Sequence, residues 1–166
     1  MSTGRHTTLQ EAPLEYADGT APGVPIGFHP LAPMRGFMAQ FGPLYQHDAT
    51  HAIGLRVEAH HLNHLGIAHG GMLATLVDSA IGIVMLQRVG RNQPGVTAHL
   101  SLDYLNPARA GDWIEAHVEL DKMGRRLRFG GCRVVTRGVC LMKASATFAV
   151  LSVPAEPVPE SHRRPR

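Results

Sequence analysis

Cysteine is scarce in this chain of 166 residues, which contains only Cys132 and Cys140. Two cysteines cannot form the dense disulfide framework that staples small secreted folds. A hairpin turn at Arg137-Gly138 would place Cys132 opposite Lys143 and Cys140 opposite Val135. We therefore expect two free thiols, which are typical of a reducing compartment, and the sequence predicts a cytoplasmic location.

Long apolar runs and leader patterns are also lacking. The longest apolar stretch, over residues 72–86, is shorter than the ~18 to 20 residues that a bilayer requires, and Asp78 interrupts it. The first residues show no charged segment followed by an apolar one, as a signal peptide would. We expect a soluble protein without a membrane partner.

Charged residues make up only 17% of the sequence, with a net charge of +3. Much of the positive excess lies in a C-terminal tail and in one turn: His162, Arg163, Arg164, Arg166, Arg125, Arg126 and Arg128. Neither place has the zinc-ligand pairs or interleaved aromatic residues of nucleic-acid modules. A basic turn equally suits a small polyanion, so we expect no nucleic-acid partner.

The composition predicts one globular domain flanked by two extensions. Residues 1–25 are rich in Gly, Pro, Thr and Ala without periodicity, and we expect a flexible extension there. Residues 154–166 are punctuated by proline and read as a disordered basic tail. The hydrophobic content of 44% is sufficient for a single core over residues 26–153.

Hydrophobic periodicity predicts one long helix among strands. A short helix or turn over 33–41 and a strand over 53–60 precede a helix that begins near His69 or Gly70. Half-buried strands follow over 96–104 and 114–120, then a strand from 127 whose phase shifts at Gly130-Gly131, typical of a bulge, and a last strand over 140–150. This order favours an α+β fold in which a curved antiparallel sheet wraps around one central helix.

Asp78 is the only charge in the apolar helix segment, and it carries the first functional hypothesis. Burial would raise the pKa of its carboxyl group toward a value useful for a general base. A structural aspartate hydrogen-bonded to backbone or to a serine is the alternative. Gly70-Gly71, at the helix N-terminus, would let a substrate approach unpaired amides that stabilise an oxyanion, although tight packing on a strand would also explain these glycines.

Several motifs together resemble one known family. They are Asn63 followed after five residues by His69-Gly70-Gly71, Asp78 nine residues after the histidine, the segment GVTAHLSLDYLNPARAGD, and a Gly124-Arg125 turn. Over residues 41–150 the chain resembles the hot-dog fold thioesterases, specifically the phenylacetate-degradation type of acyl-CoA thioesterase. The resemblance implies hydrolysis of a small aromatic or medium-chain acyl-CoA to the free acid and CoA, without a metal or organic cofactor.

The resemblance also assigns roles to individual residues. Asn63 and Gly70 would polarise the thioester carbonyl, Asp78 would act as general base or nucleophile, and Thr97 would hold the attacking water. His69 would organise the loop. The resemblance implies a homodimer or a dimer of dimers in which Asp78 faces Gly70 and Asn63 of the partner.

The substrate contacts follow from position and chemistry. Gly71 would border the substrate, and Arg125, Arg126 or Arg128 would contact the phosphates of CoA, because arginine presents fork-shaped donors to small polyanions. A solvated charged turn is the alternative for the arginines.

Three other readings remain open. A noncatalytic acyl-thioester or acyl-chain binding protein would use the same fold. A dehydratase would pair His69 with Asp78. The histidines at 60, 61, 64 and 69 are close in sequence but lack a convincing metal-ligand spacing, so we expect no metal site.

Overall fold

The computed structural model describes residues 23–90 and 93–151, which form one antiparallel sheet and one long helix. The seven strands lie in the order β1-β2-β3-β5-β6-β7-β4. Their bounds are β1 Phe28–Pro30, β2 Tyr45–His47, β3 Ile53–Arg56, β4 Gly95–Tyr104, β5 Trp113–Met123, β6 Leu127–Thr136 and β7 Val139–Val150. The helix, α1, spans Gly70–Val89 between β3 and β4. The predicted α+β architecture is confirmed.

Helix α1 begins where the sequence predicted and packs on the sheet through one face. His69 caps its N-terminus, and Gly90, with a φ of 78°, ends it in a conformation that favours glycine. The buried side chains recur at helical spacing and join the main core: Met72, Leu73, Leu76, Val77, Ala80, Ile81 and Met85.

The expectation that no segment reaches membrane-spanning length requires correction. Helix α1 has 20 residues, and 18 consecutive residues within it have a mean hydropathy of 1.5, which by length and composition suffice to cross a bilayer. Its buried face, however, packs against the strands and contributes to the main core, as in the central helix of a globular domain. Length and composition alone therefore do not distinguish this core helix from a membrane span.

The segment before α1 is more structured than predicted. A 3₁₀ helix at Gly36–Gln40 agrees with the helix or turn expected there, but the short strands β1 and β2 were not predicted. The strand expected over 53–60 ends at Arg56, and a second 3₁₀ helix follows at Ala59–His61. Val24 is buried in a small cluster, so the ordered domain begins before residue 26. Residues 1–22 of the first predicted extension and all of the second, 154–166, lie outside the described residues.

The strand register places the bulges at positions that differ from the one predicted from sequence periodicity. The β5–β6 register shifts between Leu120 and Lys122, so the bulge lies on β5, and Gly130-Gly131 continues the regular alternation of β6. Cys140 pairs with Val135 as predicted, but a shift in the β6–β7 register places Cys132 opposite Ala144 rather than Lys143. Both cysteines are free.

Among residues 23–90 and 93–151, strand β4 forms one edge of the sheet and pairs only with β7. The prediction of a half-buried strand is wrong here: only Leu100 and Leu102 are partly buried, and Val96 and Tyr104 are 47% and 52% exposed. An edge position contributes to this result, because no strand of the described ranges covers the outer side of β4. A ten-residue strand with an open edge is a ready site for pairing with another chain.

Candidate active site

His69 and the two glycines after it form the start of α1. The ring Nδ1 of His69 accepts a hydrogen bond of 2.9 Å from the amide of Gly71, and the His69 carbonyl accepts one from the amide of Leu73. Among residues 23–90 and 93–151, no partner is assigned to the amide of Gly70. The cap thus occupies one amide of the first turn and leaves the neighbouring one open to a ligand.

Gly70 also packs tightly against β4, as the alternative interpretation of the glycine pair predicted. The Tyr104 hydroxyl donates a hydrogen bond of 2.9 Å to the Gly70 carbonyl. A Cβ atom at position 70 would lie 3.3 Å from the Tyr104 ring, and one at position 71 would lie 3.1 Å from the His69 ring. Both glycines therefore have a packing role, and this role coexists with the open amide of Gly70.

Asn63 lies in the loop that leads into α1. Its Oδ1 accepts hydrogen bonds from the amides of Leu65, at 2.9 Å, and Ile67, at 3.4 Å. The backbone of Asn63 closes the same loop through the carbonyl of Ile67. Within the described part of the chain, the Nδ2 group has no assigned partner, so Asn63 can donate to a substrate while its oxygen holds the loop.

Asp78 and Thr97 meet between α1 and β4. The hydroxyl of Thr97 donates a hydrogen bond of 2.5 Å to Oδ1 of Asp78. The β4–β7 register shifts between Thr97 and His99, and the partner of Thr97 is the buried Phe148. This bulge turns Thr97 toward the helix, whereas simple alternation had placed it on the opposite face from Leu100.

The expectation that Asp78 is fully buried is wrong. Asp78 is half-buried, as are the neighbouring Thr75 and Ser79, because only one face of α1 packs on the sheet. The carboxylate therefore borders open space instead of the interior of the core. It is accessible to a substrate, and its hydrogen bond to Thr97 satisfies one oxygen while the other stays available.

A cavity of about 460 Å³ adjoins the Asp78–Thr97 pair. Its walls are mostly apolar, with Met34, Met38, Gly82, Ile83, Met85, Leu86, Pro94, Val96 and Phe148, and its polar lining comes from Asp78, Ser79, Gln93, Thr97 and Arg128. A volume of this size falls within the range of small-molecule pockets. The cavity combines an apolar chamber with a carboxylate at its wall.

The three predicted arginines do not form one cluster. Arg125 and Arg126 are exposed in the turn between β5 and β6, as expected. Arg128 is only 2% exposed, and its guanidinium donates to the backbone and side-chain oxygens of Gln93 at 2.8 and 3.0 Å. The expectation of an exposed guanidinium group is therefore wrong for Arg128, which lies on the helix-facing side of β6.

Sequence reasoning missed Gln93 and the inward orientation of Arg128. A signal was present, because residues 128, 130, 132 and 134 form one buried face of β6 without any phase shift. The expected bulge at the glycine pair hid that alternation, and an arginine on a buried face is rare.

His61 is the buried member of the histidine group. Its Nδ1 accepts from the amide of Glu58 at 2.9 Å, so Nε2 carries the proton that is donated to the carbonyl of Phe41 at 2.7 Å. Burial lowers the pKa of His61. In the described ranges, no group of three or more His, Cys, Asp or Glu residues is placed to hold a metal ion.

The candidate residues thus form two groups on one chain. Asn63, His69 and Gly70 lie at the start of α1, whereas Asp78 and Thr97 lie beside the cavity. Eight residues of helix separate Gly70 from Asp78, which corresponds to a rise of about 12 Å. The two groups of one chain cannot both contact a single thioester carbonyl.

Comparisons with known proteins agree with this architecture. The family model described as the thioesterase superfamily matches residues 65–140. A Pseudomonas aeruginosa protein named as a candidate esterase is 38% identical over 128 residues, which are 75% of this chain and 96% of the relative. Acyl-coenzyme A thioesterase 13 of Mus musculus is 40% identical over 75 residues, 45% of this chain and 53% of the mouse protein, so the match spans about half of that relative.

A solved structure gives the same result. The phenylacetic acid degradation protein of Thermus thermophilus, in a mutant form, has a TM-score of 0.57 and 27% identity, covering 76% of this chain and 95% of its own. The predicted hot-dog fold and the predicted thioesterase family are confirmed, and the names of the relatives support the predicted thioester hydrolase activity. This chain therefore belongs to the thioesterase superfamily.

Proposed function

We propose that the protein hydrolyses the thioester of a small aromatic or medium-chain acyl-CoA to the free acid and CoA. The observation that carries this proposal is the hydrogen bond of 2.5 Å between Thr97 and Asp78 at the wall of an apolar cavity of about 460 Å³. A carboxylate beside an apolar chamber suits a reaction in which the acyl group is buried and its carbonyl carbon is attacked at the rim. The name of the mouse relative specifies acyl-coenzyme A as its substrate.

The residues divide the chemistry between them. Asp78 either removes a proton from the water that attacks the thioester carbonyl or attacks the carbonyl carbon itself. Thr97 orients the carboxylate through its hydroxyl. The open amide of Gly70 and the Nδ2 group of Asn63 stabilise the negative charge that develops on the carbonyl oxygen. His69 positions these donors by capping the helix.

The active site is shared between two copies of the chain. The rise of about 12 Å between Gly70 and Asp78 along α1 keeps the oxyanion donors of one chain away from its own carboxylate. A partner related by a two-fold axis brings its own Gly70 and Asn63 toward Asp78 and produces two equivalent sites. The open edge of β4 offers ten residues of backbone for such a contact, in a homodimer or a dimer of dimers.

The exposed arginines lie in the turn between β5 and β6. The carbonyl of Arg126 accepts a hydrogen bond from the amide of Val150, which pairs with the cavity residue Gly95. We assign the phosphates of CoA to Arg125 and Arg126 because both are exposed cations, and Gly71 would border the thioester end.

A panel of acyl-CoA thioesters tests the proposal by measuring free thiol release. We expect turnover of phenylacetyl-CoA or of six- to ten-carbon acyl-CoA esters, with the rate unchanged by a chelator. Release no faster than in buffer for every thioester, combined with tight binding of the same esters, would establish a noncatalytic binding protein instead. Hydration of an enoyl-CoA would establish the dehydratase alternative, in which His69 and Asp78 act together.

A further inference from the structure

Arg128 is the buried cation of this fold and has no anionic partner in the described part of the chain. It is 2% exposed, and the ion pairs found there involve only histidines with Asp48, Glu58 and Glu115. Burial of an unpaired guanidinium is unfavourable, because the charge loses its hydration and gains no opposite charge. A ligand that supplies the missing anion would remove this cost.

Arg128 lies in the wall of the cavity that contains Asp78. Arg128 pairs with Phe148 on β7, and Phe148 pairs with Thr97 on β4, so the three residues form one row across adjacent strands. Residues directly opposite each other in a sheet project to the same face. Arg128 therefore shares the helix-facing side with Thr97, and both line the cavity that contains Asp78.

The guanidinium lies within the reach of a short acyl chain from the Asp78–Thr97 pair. Its Nη1 is 3.9 Å from the place that a Cβ of Gly95 would occupy. Gly95 precedes Thr97 by two residues, or about 7 Å along a strand. A chain of about four to six carbons spans this distance between a thioester carbonyl at Asp78 and a group bound at Arg128.

The hydrogen bonds of Arg128 leave donors free. Nη1 and Nη2 each donate to one oxygen of Gln93, while Nε is buried and has no partner among the described residues. Two of the five N–H groups of the guanidinium are thus used, and both bind neutral acceptors. If Arg128 served only to position Gln93, that role would explain the two hydrogen bonds. It would explain neither the free Nε–H group nor the uncompensated positive charge.

We propose that Arg128 selects acyl groups that carry a carboxylate four to six carbons from the thioester. This inference rests on the proposed function and specifies its substrate. The apolar walls formed by Met38, Ile83 and Met85 would accommodate the methylene chain, and the guanidinium would pair with the distal carboxylate through charge-assisted hydrogen bonds.

The test compares two CoA esters of equal chain length, hexanoyl-CoA and 5-carboxypentanoyl-CoA. We expect kcat/KM of the wild type to favour the carboxylated ester by about tenfold or more, as for a hydrogen-bonded charge pair. Arg128→Met retains the apolar stem and should abolish this preference while the rate with hexanoyl-CoA holds or rises. Arg128→Lys should retain part of the preference, and Arg133→Met, on the exposed face of the same strand, should retain all of it.

Other outcomes would overturn the inference. An equal preference for 6-hydroxyhexanoyl-CoA would show that the site reads an acceptor oxygen and not a charge. An equal loss on both CoA esters with Arg128→Met, absent for N-acetylcysteamine thioesters, would assign the guanidinium to CoA itself. A wild type that hydrolyses hexanoyl-CoA without favouring the carboxylated ester would refute this inference and leave the proposed function intact.

A binding measurement keeps the test decisive if Arg128→Met does not fold. Adipate, the product of the carboxylated ester, should raise the thermal midpoint of the wild type more than hexanoate does at the same concentration. Equal shifts for the two acids would refute selection by Arg128. The binding measurement does not depend on turnover, so it can be interpreted even if no thioester in the panel is hydrolysed. That failure would contradict the proposed function and not this inference.

Discussion

Thr97, on the edge strand β4, donates a hydrogen bond of 2.5 Å to the carboxylate of Asp78 on α1. The two residues are 19 positions apart and come from different elements, and a bulge after Thr97 turns its side chain toward the helix. One oxygen of Asp78 is thereby fixed, and the half-buried carboxylate faces the cavity. This pair orients a reactive group at the rim of an apolar chamber.

Asp78→Asn should lower kcat by about 10² to 10⁴-fold while substrate binding persists, because the amide retains the shape but cannot accept a proton. The amide oxygen can still accept the hydrogen bond from Thr97, so the free energy of unfolding should hold. Steady-state kinetics, ligand binding and denaturant unfolding measure the three quantities. Full activity in this variant, or a loss of several kcal/mol of stability, would identify Asp78 as a structural acid.

Thr97→Val should lower kcat by about 10- to 100-fold with little change in KM, because it frees the Asp78 carboxylate from its fixed orientation. The valine side chain has nearly the same shape, and position 97 is exposed on an edge strand, so we expect little loss of stability. Ser101→Ala on the same strand is the matched control and should retain the wild-type kcat. A Thr97→Val enzyme as fast as its control would remove Thr97 from the mechanism.

His61 should make the protein less stable as the pH falls below about 6.5. Burial lowers the pKa of His61 in the folded state, so the unfolded state binds more protons at mildly acidic pH. Protonation of Nδ1 would also break the hydrogen bond from the amide of Glu58. The stabilisation is fully present above the unfolded pKa and is lost as the pH falls through the folded value.

The measurement is the free energy of unfolding at pH 7.5, 6.5 and 5.5 for the wild type and His61→Gln. The variant should be less stable at pH 7.5 and should lose less stability on acidification, because position 61 no longer titrates. The same change in stability with pH in both proteins would show that other groups cause the acid dependence.

The helix and the long strands could be predicted because their apolar residues recur over ten or more positions. Strands β1 and β2 have three residues each, too few for any period to emerge. The orientation of Thr97 depends on a bulge, which adds one residue to a strand and reverses its faces, whereas Arg128 follows the regular alternation of β6 and was hidden only by the bulge expected at Gly130-Gly131. A bulge is set by pairing with a distant strand, so local sequence alone does not locate it.

The sequence indicated which candidate residues lie together better than it indicated whether their side chains are buried. Asn63, His69 and Gly70 meet at the start of α1, because one short loop contains all of them. Asp78 was expected inside the core, because an apolar helix normally buries every face. The sheet covers only one face of α1, and the sequence of one chain does not show what covers the other.

Arg125→Gln with Arg126→Gln should raise KM for CoA esters while KM for N-acetylcysteamine thioesters stays the same. The reason is that both arginines are exposed and would contact the phosphates of CoA, which the smaller thioester lacks. Arg109→Gln, an exposed position elsewhere, is the control. An equal change in KM for both kinds of thioester would mean that the turn is merely solvated.

Complementation between two inactive variants should reveal a site shared by two chains. The first variant is Asp78→Ala, which removes the carboxylate. The second is Asn63→Asp, which removes the Nδ2 donor but keeps the oxygen that accepts from the amide of Leu65, so the loop should hold. Each variant alone should be inactive, because every site of its dimer has one defect.

Refolding an equal mixture should pair the chains at random, so about half of the dimers contain one chain of each kind. In a mixed dimer, one site receives the intact Asp78 and the intact Asn63, and the other site receives both defects. About a quarter of the wild-type activity should therefore return. Were both residues drawn from the same chain, every site would keep one defect and mixing would restore none. A chain that sediments as a monomer at the assay concentration, or a mixture that stays inactive after verified exchange of subunits, would refute the shared site.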